Sequence, residues 1–255
     1  MTTVDIPTRS ATATLARLVR AELRLVLREP LVLAFVFAFP VVTVLVIAGS
    51  FASEDAPDFG GYDPAEWYVS SYLAVVIAAI GLVMVPVHVA AYRERGVLRR
   101  FAAAGFPRWS FAVASIIVGV VLTMIGCAVL LAFAAPVYGL PPVESPLWTV
   151  AGVLVGAVAF TSIGLLLGSL MPSARAAQGI GLLAFFPSFL LGGGGPPPEV
   201  MGAGLRRVAD LLPLTHVTES IREPWLGAGT GAVHLAVVLG FLAASVLGWW
   251  RAVRL

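Results

Sequence analysis

The sequence predicts an all-α, polytopic membrane protein with six crossings. Three observations carry this. Charge is scarce: of 255 residues 59% are hydrophobic and 12% charged, where a soluble domain has roughly 25% charged residues. Six apolar runs, at about 31–49, 69–91, 109–135, 147–170, 176–195 and 231–250, contain no Asp, Glu, Lys or Arg. Each is long enough to cross roughly 30 Å of hydrocarbon at about 1.5 Å per residue. Finally, the arginines alternate between the intervening segments, as the positive-inside bias requires. With the N-terminus inside, Arg206, Arg207 and Arg222 are the outside arginines and the other thirteen of sixteen lie inside. Both termini are therefore expected in the cytoplasm.

The elements follow in order. Residues 1–13 are expected to be a flexible cytoplasmic tail. Residues 14–29 predict an amphipathic helix in the cytoplasmic interface. At 100° per residue, Arg17, Arg20, Arg24 and Arg28 share an arc of about 80°, and Leu15, Leu18, Val19, Leu23, Val26 and Leu27 fill the rest. Glu22 falls within the apolar arc, where a carboxylate either pairs locally or meets a protein partner. Pro30 ends this helix and opens the first span; residues 30–255 are expected to form one six-span transmembrane domain. That span begins too far along and is too long for a leader peptide.

Pro40 and Pro86 lie inside the first and second spans and predict kinks. The first outer loop carries Glu54, Asp55, Asp58, Asp63 and Glu66 without a basic residue, and Trp67, Tyr68 and Trp148 mark span edges. Gly152, Gly156, Gly164 and Gly168 at four-residue spacing allow close approach, read as packing within the subunit rather than dimerisation. After the fifth span, Gly192–Gly195 and Pro196–Pro198 stop the helix. Two short segments up to Trp225 read as re-entrant or interfacial helices on the outer face.

Several chemistries are excluded. All 16 basic residues are arginine, so the chain has no P-loop lysine, no Schiff-base lysine and no Ser-x-x-Lys centre. Ion-coupled carriers need ionisable groups within their spans; only His88 and His234 occur there, each near a span end with no acidic neighbour in sequence. No His/Glu cluster has metal-ligand spacing. Cys127 is the sole cysteine and reads as a packing residue. A pI near 9.0 reflects arginines flanking spans, not nucleic-acid binding. A membrane domain without an ionic drive or catalytic centre, but with an arginine-rich inner rim, suits a permease powered by a separate ATPase. A passive channel and a scaffold that recruits an ATPase without moving cargo are the alternatives.

Four motifs in order then resemble one family. Glu22, with Arg28-Glu29-Pro30 before the first span and Pro40 within it, resembles the opening of the type-2 ATP-binding-cassette (ABC) exporter permeases, which include the daunorubicin-resistance permeases. Arg93-Glu94-Arg95-Gly96-Val97-Leu98-Arg99-Arg100 followed by Ala104-Gly105-Phe106-Pro107 is similar to their inner loop, with Val97 where Thr is usual. Ser173–Gln178 resembles the entry to the fifth span, and Leu212-Pro213-Leu214-Thr215-His216 with Arg222 resembles the outer signature. The run Gly192–Pro198 departs from the family pattern.

The resemblance implies a six-span subunit of the bacterial cell membrane. It would pair with a second copy or paralogue and with two cytoplasmic ATPases, which hold the ATP and magnesium; no cofactor is expected on this chain. It implies ATPase-coupling roles for Arg93, Glu94, Arg95, Gly96, Arg99 and Arg100, and a second contact through Arg17, Glu22 and Arg24. Phe35, Phe39, Met84, Phe185, Phe186 and Phe189 are the expected walls of a cavity for hydrophobic drug-like or lipid cargo. Pro213, Thr215 and His216 are the expected outer gate. Export of polysaccharide or glycolipid is the alternative within transport.

Overall fold

The computed structural model describes residues 11–28, 30–51, 59–103, 107–139 and 142–252. Arg9, Glu29, Glu54, Asp55, Asp58, Arg254, the 104–106 part of the inner loop and all but 11–13 of the N-terminal tail lie outside them. The described residues are helices and turns, without a strand.

Helix α1, Ala11–Val26, begins three residues before its expected start, and Leu27 and Arg28 form a turn. It packs against α5, Arg108–Tyr138. Leu18, Glu22 and Val26 are its buried positions, one stripe at four-residue spacing. Arg17, Arg20, Arg24 and Arg28 are exposed, but so are Leu25 and also Leu27, the latter placed by the sequence on the apolar side.

Helix α2 covers 30–50 and α3 covers Pro64–Glu94. Each contains a widened π segment just before its proline: Ala34–Ala38 precedes Pro40, and Ala79–Met84 precedes Pro86. Proline lacks an N–H and its ring clashes with the carbonyl four residues back. The wider turn relieves both faults, so the expected kinks take the form of π bulges. Asp63 caps α3, accepting from Ala65 N at 2.8 Å.

The remaining helices are α4 (Val97–Ala103), α6 (Pro146–Leu170), α7 (Ala174–Leu191), α8 (Ala203–Ala209), α9 (Pro213–Leu226) and α10 (Ala232–Ala252). Among the described residues, five helices are long and apolar enough to cross a membrane: α3, α5, α6, α7 and α10. The apolar part of α2, Ala34–Ser50, is shorter. Together they define a polytopic membrane protein.

Helix α3 is the hub. It touches α2, α5, α6, α7 and α9, and 89% of its most apolar window is buried against 17% for α10. Exposed apolar side chains, among them Ile125 and Phe133 of α5, Leu183 of α7 and Val233 of α10, give the bundle a lipid-compatible exterior. The glycines of α6 face inward, as their spacing suggested. A Cβ on Gly152 would lie 2.5 Å from Ser220 O, on Gly156 2.7 Å from Val217, and on Gly164 2.1 Å from Gly81 O.

Trp67 and Tyr68 correct the sequence reading. They are buried, at 3% and 1% exposure, inside an aromatic cluster with Phe51, Phe59 and Tyr72. The capped start of α3 at Pro64 carries them a full turn into the helix, where α9 covers them. Trp148 keeps its place at a helix end, 39% exposed.

Candidate functional site

Three groups of residues hold the candidate chemistry. The first is the arginine-rich end, where α3 leaves the bundle. Arg95 ends the helix and Gly96, at φ +68°, turns the chain into α4, a backbone conformation that L side chains resist. Arg93, Glu94, Arg95, Arg99 and Arg100 are all exposed. They nevertheless divide into two sets. Arg93 donates to Ser169 O and, at 3.1 Å, to Met171 O; Glu94 accepts from Ala174 N at 3.1 Å. The sequence offered no signal for these pairings, which bridge about eighty positions of chain. Arg99 and Arg100 extend from α4.

Glu22, expected in the same surface, turns inward instead. It is 1% exposed and its Oε2 accepts from Ser115 Oγ of α5 at 3.3 Å. Oε1 is buried without a hydrogen-bond partner among the described residues. Burial pushes this carboxyl up from its ordinary 4.5 to about 7, and the Ser115 hydroxyl offsets only part of that rise. Arg17 and Arg24 remain on the exposed side of α1.

The second group is aromatic. Phe35 and Phe39 of α2 stack with centroids 5.1 Å apart. Phe39 meets Phe185, Phe186 and Phe189 of α7 at 5.8, 6.4 and 5.3 Å, each edge to face, a favourable aromatic geometry. Tyr72 of α3 joins through Phe189 at 6.0 Å. The structure thus brings together five of the six residues expected to wall a cavity. Phe186 is the open member at 43% exposure, and Phe185 is fully buried. Met84 is buried in the π segment of α3.

The third group lies at the opposite end and is more connected than the sequence implied. Pro213 opens α9. Thr215 Oγ1 donates to Ala209 O at 2.6 Å. His216 Nε2 lies 3.0 Å from Asp210 O, which only accepts, so Nε2 is the donor; its Nδ1 lies 3.0 Å from Nδ1 of His234. His234 Nε2 is 3.4 Å from Glu223 Oε1, an acidic neighbour supplied by the fold rather than by the sequence.

Nearly two turns along α9 from His216, buried Arg222 pairs with Glu219 and lies 3.9 Å from the centre of the Trp67 ring. Thr218 donates to Gly192 O and Tyr72 to Gly194 O at 3.0 Å, tying the glycine run to α3 and α9. These links define α9 as a plug seated among α3, α6 and α10. The sequence signalled a short helix ending near Trp225 but not its start at Pro213 or its burial.

This organisation, a central helix ending in a cationic loop with a short buried helix at the far end, is that of a multi-pass membrane protein. The model of the ABC-2 type transporter family matches residues 14–226, and the chain belongs to that family. It is also similar to the proteins named Probable multidrug ABC transporter permease YbhR in Escherichia coli strains K12 and O157:H7. Each is 24% identical over 163 residues, which cover 63% of this chain and 44% of the relative. The chain therefore matches less than half the length of those curated relatives.

Proposed function

We propose that this chain is the membrane subunit of an ABC exporter, moving an apolar small molecule or lipid outward with energy from ATP hydrolysed on a separate subunit. The observation that carries this reading is the exposed set Arg95, Arg99 and Arg100, which lies at the end of α3, the most buried candidate span, and on α4 just beyond it, in an ABC-2 family member. Guanidinium groups bind carboxylates through two parallel hydrogen bonds, so this end suits docking onto an acidic ATPase groove. Force applied there enters α3, which touches most of the bundle.

In this reading α2 is the sixth crossing. Its 30–50 helix is about 31 Å long at 1.5 Å per residue. The arginine-rich end faces the cytoplasm and α1 lies in the inner interface. Two ATPases bind ATP and magnesium, and a second permease copy completes the complex. The phenylalanines of α2 and α7 offer cargo an apolar, charge-free wall. The α9 plug, with Pro213, Thr215 and His216 at its head, closes the outer side.

The test is co-purification and hydrolysis with the ABC ATPase of the same genome. Arg99→Glu with Arg100→Glu is expected to abolish capture while leaving the permease folded. Retained capture overturns the docking surface. Hydrolysis that never responds to an apolar dye, with no dye movement, indicates a scaffold instead.

A further inference from the structure

Two adjacent residues of α3 hold the facing ends of two other helices. α6 stops at Leu170, and the carbonyls of a helix's last turn lack helical partners. Arg93 supplies a donor to Ser169 O and to Met171 O. α7 starts at Ala174, whose amide is one of the unpartnered donors at a helix start. Glu94 accepts it, while Ser173 Oγ accepts Ala176 N at 3.2 Å. The signs match the helix dipoles: a cation at the carbonyl end and an anion at the amide end.

The packing above this point is equally close. A Cβ on Gly168 of α6 would sit 2.6 Å from Pro86 O, and one on Gly181 of α7 would sit 2.2 Å from Leu82 O. The last turns of α3 are thus pressed against both helices and capped to both at their shared turn.

We propose that Arg93 and Glu94 are positioning residues of the transport cycle rather than docking residues. They lock the Met171-Pro172-Ser173 turn to the end of α3. A displacement delivered to Arg95, Arg99 and Arg100 then moves the inner ends of α3, α6 and α7 as one body. α7 carries Phe185, Phe186 and Phe189, so the motion reaches the aromatic wall without a flexible joint. The inference rests on the ATPase-docking reading above and adds the path by which force enters the bundle.

The experiment uses the full chain in lipid nanodiscs, with Cys127→Ala as background and spin labels at Ala103→Cys and Arg175→Cys. The chain alone is expected to give one narrow inter-label distance, and the same distance with its ATPase bound, before and after trapping with ATP and vanadate. Arg93→Met with Glu94→Gln is expected to broaden that distribution and to lower transport of an apolar dye per ATP hydrolysed about tenfold, with ATPase capture intact. Arg93→Lys, which keeps a donor, is expected to recover most of the coupling.

A wild-type distance that shifts with nucleotide, full coupling in the double variant, or loss of ATPase capture by it each overturns the proposal. Failure of the docking reading shows separately, as capture retained by the Arg99→Glu/Arg100→Glu variant. The distance measured on the chain alone still judges the lock.

Discussion

The guanidinium of Arg222 lies over the Trp67 ring, 3.9 Å from its centre, and pairs with the Glu219 carboxylate. Arg222 NH1 also reaches Ser71 Oγ at 3.4 Å. Helix α9 is thereby fastened to the first turns of α3 through Arg222, whose charge is paired within α9 by the largely buried Glu219. Removing one member of such a pair leaves the other buried and uncompensated. Arg222→Ala is therefore expected to destabilise the protein by about 3 kcal/mol, read as a lower unfolding midpoint. Arg222→Met with Glu219→Gln is expected to recover part of that loss, since neither partner is then left charged.

Glu22 makes α1 docking pH-dependent. Its folded carboxyl titrates near 7 against an ordinary 4.5. The folded state therefore keeps a proton that the unfolded chain releases. Stability falls as pH rises from about 4.5 to about 7, then levels off, with a total change of about 3 kcal/mol. Thermal unfolding across pH 5 to 8 is expected to show the wild-type midpoint dropping relative to Glu22→Gln. Parallel profiles for the two proteins contradict this account.

The α6 glycines are contact surfaces for its neighbours. Gly164→Val places a methine carbon where Gly81 O and Val85 already lie. Overpacking of this kind costs roughly 1–3 kcal/mol or more. Gly179→Val, where nothing lies within 4 Å of the added carbon, is expected to leave the unfolding midpoint nearly unchanged. Equal effects from the two substitutions contradict the assignment of α6 as an internal packing face.

What the sequence disclosed depended on range. Periodic and compositional signals travelled well: the apolar runs, the arginine stripe of α1, the inward glycines of α6 and the prolines of α2 and α3 all mark real features. The form of the kinks did not, because a π bulge depends on how neighbouring helices accommodate the freed carbonyl. Pairings across long stretches of chain were invisible. No sequence signal showed that Arg93 donates to Ser169 O and Met171 O, and His234 lacked an acidic neighbour until α9 brought Glu223 to it. Trp67 shows the same limit: an aromatic at a span edge and one a turn inside a capped helix read alike in one dimension.

The most direct test of the central claim is transport into inverted membrane vesicles holding this chain and its ATPase, followed with an apolar fluorescent dye. The account predicts uptake that requires ATP, is blocked by vanadate, and is indifferent to collapse of the proton and sodium gradients. Uptake driven by an ion gradient in vesicles containing this chain without any ATPase would contradict it.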